Sequence, residues 1–426
     1  MTTERRVAAV GGTRTVPEPD AIARDYLLLG LRLDQQVPGL VDAYFGPASL
    51  KAEVEIEPKR PPAALREDAA SLRARVVDEI DAPDRRTWLT AQLVALEAQA
   101  SVLTGDMLPY MDLVAKAFDF EPHRVADEVL DAAAAQVDEL LPGDGDLSVR
   151  LEAWDAELEI PAERLPAVID WLIERFRARS DELFGLPTGE RLRVGLVRNQ
   201  PWAAYSWYDG GLHSRIDINI DLPARLPNLA QIVAHETYPG HHLERASKDL
   251  DLLERGRVES SIVLINTPEC LMSEGMADLG VEFAFPPDER SGVLEELFGI
   301  AGFAWAADSS RRRDTAERAA TLIGPRDVLH TSGVNAALML HADGASREEA
   351  LDYLVRAGRY PRAAAEKRLE FLVHPTWRTV VFVYSEGEAL LRRWIDAVPK
   401  ADRPVRFARL LHEQLTPGAI LADIRD

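Results

Sequence analysis

Between Leu226 and His242 the chain commits to a helix and then forbids that helix to continue. Leu226, Leu229, Ile232 and Val233 recur at the three-to-four-residue spacing of a buried helical face, and that face runs directly into His235-Glu236. Three residues on stands Pro239, which lacks the N–H that would bond to the carbonyl of His235 and whose ring crowds the preceding turn. Gly240 then accepts almost any backbone angle. The segment Ala234-His235-Glu236-Thr237-Tyr238-Pro239-Gly240-His241-His242 therefore places three imidazoles and a carboxylate around an interrupted helix.

His235-Glu236 is the first half of an H-E-x-x-H motif, in which two histidines one helical turn apart chelate zinc and the intervening Glu activates water. Pro239 stands where the second histidine belongs; the next candidates are His241 (241 − 235 = 6) and His242 (242 − 235 = 7). In an unbroken α-helix, residue i+7 returns to the same face about 10 Å further along the axis, beyond the reach of one ion. A metal site here requires an irregular helix. A Pro-Gly insertion that widens one turn, in the manner of a π-bulge, would bring His241 round to the usual position. The alternative is a helix-terminating Pro-Gly turn with exposed histidines. The buried approach to Glu236 favours a metal, because a carboxylate on a buried helix beside a histidine needs a partner or a cation.

In zinc enzymes of this type the third protein ligand is a Glu on a later helix, and the fourth position stays open. Glu274, in Ser273-Glu274-Gly275-Met276-Ala277-Asp278, follows His235 by 274 − 235 = 39 residues, enough for a helix to end and a second to return. Asp278 lies one turn on and is placed to accept the second ring N–H of a zinc-bound histidine. Glu269, five residues before Glu274, is the rival ligand. The bland reading makes all three surface acids; the small and apolar neighbours of Glu274 argue against it for that residue.

HETYPGHHLE followed by SEGMAD resembles the bacterial family known as domain of unknown function 885, which is related to gluzincin-type metallopeptidases. Members show H-E-x-x-P-G-H-H, then E-G-W-A, then a Tyr and a Gly near the C-terminus. The first is intact here, the second reads Glu274-Gly275-Met276-Ala277 with Met in place of Trp, and the third corresponds to Tyr384-Ser385-Glu386-Gly387. The E-x-x-x-D arrangement of Glu274 and Asp278 is also similar to that of peptidyl-dipeptidases such as angiotensin-converting enzyme. The resemblance covers roughly residues 200–420, and the chain is shorter than many relatives. It implies one zinc per chain on His235, His241 and Glu274, with Glu236 as general base and a Tyr or His from the C-terminal region at the oxyanion, for which Tyr384 is the candidate. It implies no particular substrate.

The formal net charge of −22 argues against partnership with nucleic acid or an anionic membrane surface. The expected partner is a peptide or a small-molecule amide, and the sequence leaves the oligomeric state open. At 46% hydrophobic and 28% charged residues, the 426-residue chain can bury a substantial core. No secretory signal or spanning segment is expected, and Cys270, the one cysteine, can form no intrachain disulfide, so a cytoplasmic protein is expected.

Apolar spacing predicts a mainly α fold of two helical lobes about a central cleft, with a short β-sheet beside the histidine helix. Residues 1–18 read as a flexible tail, 19–186 as an N-terminal helical region, and 187–426 as the metallopeptidase-like region. Helices are expected over 20–45, 62–80, 85–104, 108–119, 123–141 and 161–184, then over 263–285, 289–320, 326–341, 346–358, 361–373 and 377–397. Residues 191–197 and 214–221 read as strands. The latter serves either as an edge strand that pairs with an extended substrate or as part of a plain hairpin.

Among the remaining residues, His242 either hydrogen-bonds near the site or replaces His241 as ligand. His374 and Arg378 bind a substrate carboxylate or cap a helix. Tyr205 and Tyr208 line the cleft or pack the sheet, and His330 and His341 read as ordinary histidines. The leading functional expectation is a zinc-dependent peptidase. The alternatives are a zinc hydrolase of a non-peptide amide or ester, and a helical binding protein without catalysis.

Overall fold

The computed structural model describes residues 16–200, 202, 204–221 and 223–425. Most of the tail expected over 1–18 therefore lies outside the described residues. The fold is mainly α, as the spacing predicts, and its described strands form two small sheets.

Among the described residues eight helices precede the second sheet: Ala21–Gln36, Ala48–Ile56, Pro62–Glu79, Pro83–Leu103, Tyr110–Phe118, Asp127–Leu140, Leu147–Glu157 and Leu165–Phe184. The helix expected over 20–45 ends early, at Gln36, where Pro38 and a left-handed Gly39 (φ 88°) turn the chain. Residues Val41–Tyr44 then form strand β1, antiparallel to β5 (Ile262–Leu264). Val41 pairs with Leu264 and Ala43 with Val263, which leaves Asp42 as the extra residue of a β-bulge.

Strands β2 (Arg191–Val197), β3 (Ala204–Gly210) and β4 (His213–Asn219) form the second sheet in the order β2-β4-β3. β2 runs parallel to β4, and β3 and β4 form a hairpin. Gly211 and Leu212 close it with positive φ at both positions (61° and 67°), as a type I′ turn demands. β4 is thus the central strand, which overturns the edge-strand reading of 214–221; the edge beside the histidine helix is β3.

From Leu226 onward helices dominate again. The segment expected over 289–320 is broken at Gly302 (φ 72°), so that Arg290–Ala301 and Ser309–His330 are separate helices, and the next break falls at Thr331 before Ser332–His341. Val263 and Leu264 belong to β5, and the following helix, Pro268–Ala284, starts only after Thr267 caps it through the Cys270 N–H. Helices Arg347–Ala357, Arg362–Val373, Val381–Asp396, Arg403–His412 and Pro417–Arg425 complete the chain. Buried apolar side chains form one connected core from Ile22 to Ile420. A small cluster of Tyr208, Leu212 and Ala246 seats the sheet on the helix His241–Glu254. Among the described residues no helix is long and apolar enough to cross a membrane.

Candidate metal centre

The histidine segment folds as two helices, which corrects the widened-turn expectation. Leu226–Glu236 buries Leu226, Leu229, Ala230, Val233 and Ala234 and stops at Thr237, whose N–H and hydroxyl both bond to the Val233 carbonyl (3.0 and 2.5 Å). The Tyr238–Pro239 peptide is cis, and a new helix, His241–Glu254, begins directly after Gly240. Gly240 donates to the Ala234 carbonyl (3.2 Å), and a Cβ there would run into the backbone carbonyl of His235. Only glycine lets the second helix start this close to the end of the first. His235 therefore stands in the last turn of one helix and His241 in the first turn of the next, with ring centroids 4.6 Å apart and planes at 87°.

Glu274 completes the group from the helix Pro268–Ala284. Its Oε2 lies 3.5 Å from His235 Nε2 and its Oε1 3.4 Å from His241 Nε2, and one ligand atom from each of the three residues falls within 4.8 Å of the other two. Bonds of about 2.0–2.1 Å in tetrahedral array separate zinc ligands by about 3.3 Å, so this donor set fits that ion. The remaining ring nitrogens are engaged as a metal ligand requires. His235 Nδ1 donates to Asp278 Oδ1 (2.8 Å). His241 Nδ1 faces Ser273 Oγ (3.3 Å), which itself donates to Glu244 Oε2 (2.5 Å). Each Nδ1 is thus turned to a partner that accepts its proton, and each Nε2 faces Glu274, the nitrogen that a neutral, metal-bound imidazole would use as ligand. Lys248 holds Glu244 (2.8 Å) and Glu269 (2.6 Å), and Glu269 also accepts from Trp88 Nε1 (2.9 Å), so Glu269 braces the site and is not in the donor group.

Opposite charges tie the group together. Burial works against a charged His241, but Glu274 and Glu244 outweigh it and push the imidazole up to about 9. For His235, burial is likewise outweighed, chiefly by Asp278, and its affinity for a proton rises well above the usual value. Burial would raise Glu274, yet His241 and His235 hold it well below the carboxylate range. Glu236 goes the other way: burial, reinforced by Glu274 and Asp42, raises its carboxyl despite the two histidines.

His242 takes no part in the donor set. Fully buried, it meets Ser214 Oγ through Nδ1 (2.7 Å) and Glu190 Oε2 through Nε2 (2.9 Å), which anchors the helix start to β4 and to the residue before β2. The geometry therefore groups His241, and not His242, with His235.

Tyr384 comes from the helix Val381–Asp396. Gly275 and Gly387 let this helix cross the Glu274 helix in backbone contact: a Cβ on Gly387 would sit 2.6 Å from the Leu271 carbonyl oxygen, and one on Gly275 would strike Gly387 itself. The Tyr384 side chain is 49% exposed, yet Glu274, followed by burial and by Asp278 and Glu236 among its neighbours, drives its hydroxyl well above the usual phenol range. Its hydroxyl thus feels the same carboxylates as the histidines.

The other sequence candidates lie elsewhere or play packing roles. The Arg378 guanidinium rests over the Tyr110 ring (5.9 Å), and His374 Nδ1 accepts from the Thr376 N–H (3.2 Å). His341 bonds to the Leu372 carbonyl (2.8 Å), and His330 stacks on Tyr360, with burial holding it down at about 3. Tyr208 is buried on Asp249 (2.5 Å), whereas Tyr205 donates to Asp42. Sequence reasoning missed Asp42, Arg245, Glu244, Ser273 and Lys248. Glu244 and Ser273 stand at the edges of the two motif segments but were given no role there, and the i, i+4 spacing of Glu244 and Lys248 on one helix face was the signal that could have found the pair. No protein-family model matches this chain, and no curated protein is significantly similar to it.

Proposed function

We propose that the protein is a zinc-dependent metallopeptidase, with zinc held by His235, His241 and Glu274. The observation that carries this reading is the convergence of these three residues from three different helices, with each imidazole aimed by a second hydrogen bond. The resemblance to the domain-of-unknown-function 885 family supports it on the same residues. Zinc, when bound, supplies Lewis acidity to water and to a carbonyl.

The chain's own groups then divide the work. Glu236 follows His235 directly and is partly exposed; its raised carboxyl suits a general base that takes a proton from attacking water and delivers it to the leaving nitrogen. Tyr384, with its hydroxyl firmly protonated, donates a hydrogen bond to the oxygen that gains charge as the carbonyl is attacked. Partial exposure of His235 (16%) and Glu274 (21%) leaves the group open to a substrate. Replacement of Glu236 by Gln tests the assignment: hydrolysis of a peptide library should fall by about 100- to 10,000-fold with zinc content unchanged. Activity that survives the substitution would remove Glu236 as the base.

A further inference from the structure

Arg245 lies one turn beyond His241 on the same face of the helix His241–Glu254, about 6 Å along its axis. The carboxylates of Asp42, Glu244, Glu269 and Glu274 all favour its charge electrostatically. Lys248, on the same helix, donates hydrogen bonds to both Glu244 and Glu269. Arg245 differs: among the described residues its guanidinium makes no hydrogen bond, and its one ion-pair contact is Asp42 Oδ2 at 3.5 Å. Only 12% of the side chain is exposed, yet none of its nitrogens is both sealed from solvent and unpartnered. A mostly buried guanidinium with open donors beside a hydrolytic group is poised to receive a planar anion, since its fork matches a carboxylate in bidentate fashion.

Asp42 holds that fork in place from the other side. As the extra residue of the β1 bulge it is turned out of the ladder, and while its Oδ2 faces Arg245 its Oδ1 accepts from the Tyr205 hydroxyl on edge strand β3. Asp42, Arg245 and Tyr205 thus come from three separate parts of the chain and meet at the Asp42 carboxylate, within the electrostatic reach of Glu236, which Asp42 helps to raise and which in turn raises Tyr205. In a chain of net charge −22, with Glu236, Glu274 and Asp278 around the reacting position, a substrate carboxylate would be repelled unless a local cation received it.

We propose that Arg245, steadied by Asp42 and Tyr205, is the anchor for a free carboxylate on the substrate, so that the enzyme acts near the C-terminal end of peptides. This rests on the peptidase reading for its chemistry, though the anion site itself does not. The test uses a mixed-sequence hexapeptide library made as C-terminal acids and as C-terminal amides. Cleavage by the zinc-loaded full chain is read by mass spectrometry, and binding of both libraries to the Glu236→Gln protein is measured at equilibrium.

The acids are expected to be cleaved, and to bind, about 10- to 100-fold better than the amides, with products released from the C-terminal end. Arg245→Gln should bring both ratios close to one. Arg245→Lys, which keeps the charge and loses the fork, should lower both ratios and decides the matter if the Gln variant does not fold. Equal handling of acids and amides by the wild type, or ratios that Arg245→Lys and Arg245→Gln leave unchanged, would overturn the proposal. A binding preference that depends on Arg245, without any hydrolysis, would uphold the carboxylate site and reject the peptidase reading.

Discussion

His235 and His241 reach Glu274 from different helices, but each depends on a second residue to present the correct nitrogen. For His235 that residue is Asp278, and its loss should be felt directly in metal binding. Asp278→Asn is expected to weaken zinc affinity about 10- to 100-fold in competition with a chelator, with the fold intact; unchanged affinity would show that Asp278 does not orient the ring. Glu190 offers a test of the structural histidine. It accepts from His242 (2.9 Å), Tyr238 (2.7 Å) and Arg177 (2.6 Å), and although burial opposes ionisation these bonds hold its carboxyl at about 2 instead of 4.5. A depressed carboxyl contributes stability that is fully present above about pH 4.5 and is lost as pH falls towards 2. Glu190→Gln should therefore cost about 2 kcal/mol in urea unfolding at pH 7, and the gap to wild type should narrow from pH 5 downward; a gap independent of pH would contradict the account. The convergence of His235, Glu274 and Asp278 was legible in the sequence because their signals are local. The choice between His241 and His242 was not, since adjacent residues on a helix point about 100° apart and only the docked second helix decides which one faces Glu274.

Helices here are positioned by glycine as much as by apolar faces. Gly275 follows the candidate ligand Glu274, and Gly387 lies three residues beyond Tyr384; together they let the two helices touch backbone to backbone. Gly275→Ala is expected to destabilise the protein by about 2–4 kcal/mol and to reduce hydrolysis beyond what the lost stability explains, because the added methyl pushes Tyr384 away from Glu274. Stability within about 0.5 kcal/mol of wild type would show that the crossing is looser than described. Both glycines stood in the motifs of the sequence, but their purpose is visible only when the helices are seen to cross. The overrun of the first helix into Val41–Tyr44 has a similar origin. A four-residue strand carries too little alternation to announce itself, and its partner, β5, lies far along the chain. The same holds for the sheet order, since nothing local to 213–219 says that β3 and β2 will flank it on both sides.

At the scale of the whole molecule, the site is a convergence of distant segments on one connected core. The N-terminal part, which offered no motif, contributes Asp42 through a bulge and Trp88 through Glu269, while the C-terminal part contributes Tyr384. Long-range contributions of this kind escape sequence reading, because a lone Asp or Trp carries no spacing. The central claim is that three residues on three helices bind one zinc. Elemental analysis of the purified, zinc-reconstituted wild type beside His235→Ala, His241→Ala, Glu274→Ala and His242→Gln tests it most directly. The account predicts close to one zinc per chain in the wild type and in His242→Gln, and its loss from the other three. A wild type that takes up no zinc, or a His241→Ala variant that keeps it while His242→Gln loses it, would contradict the account.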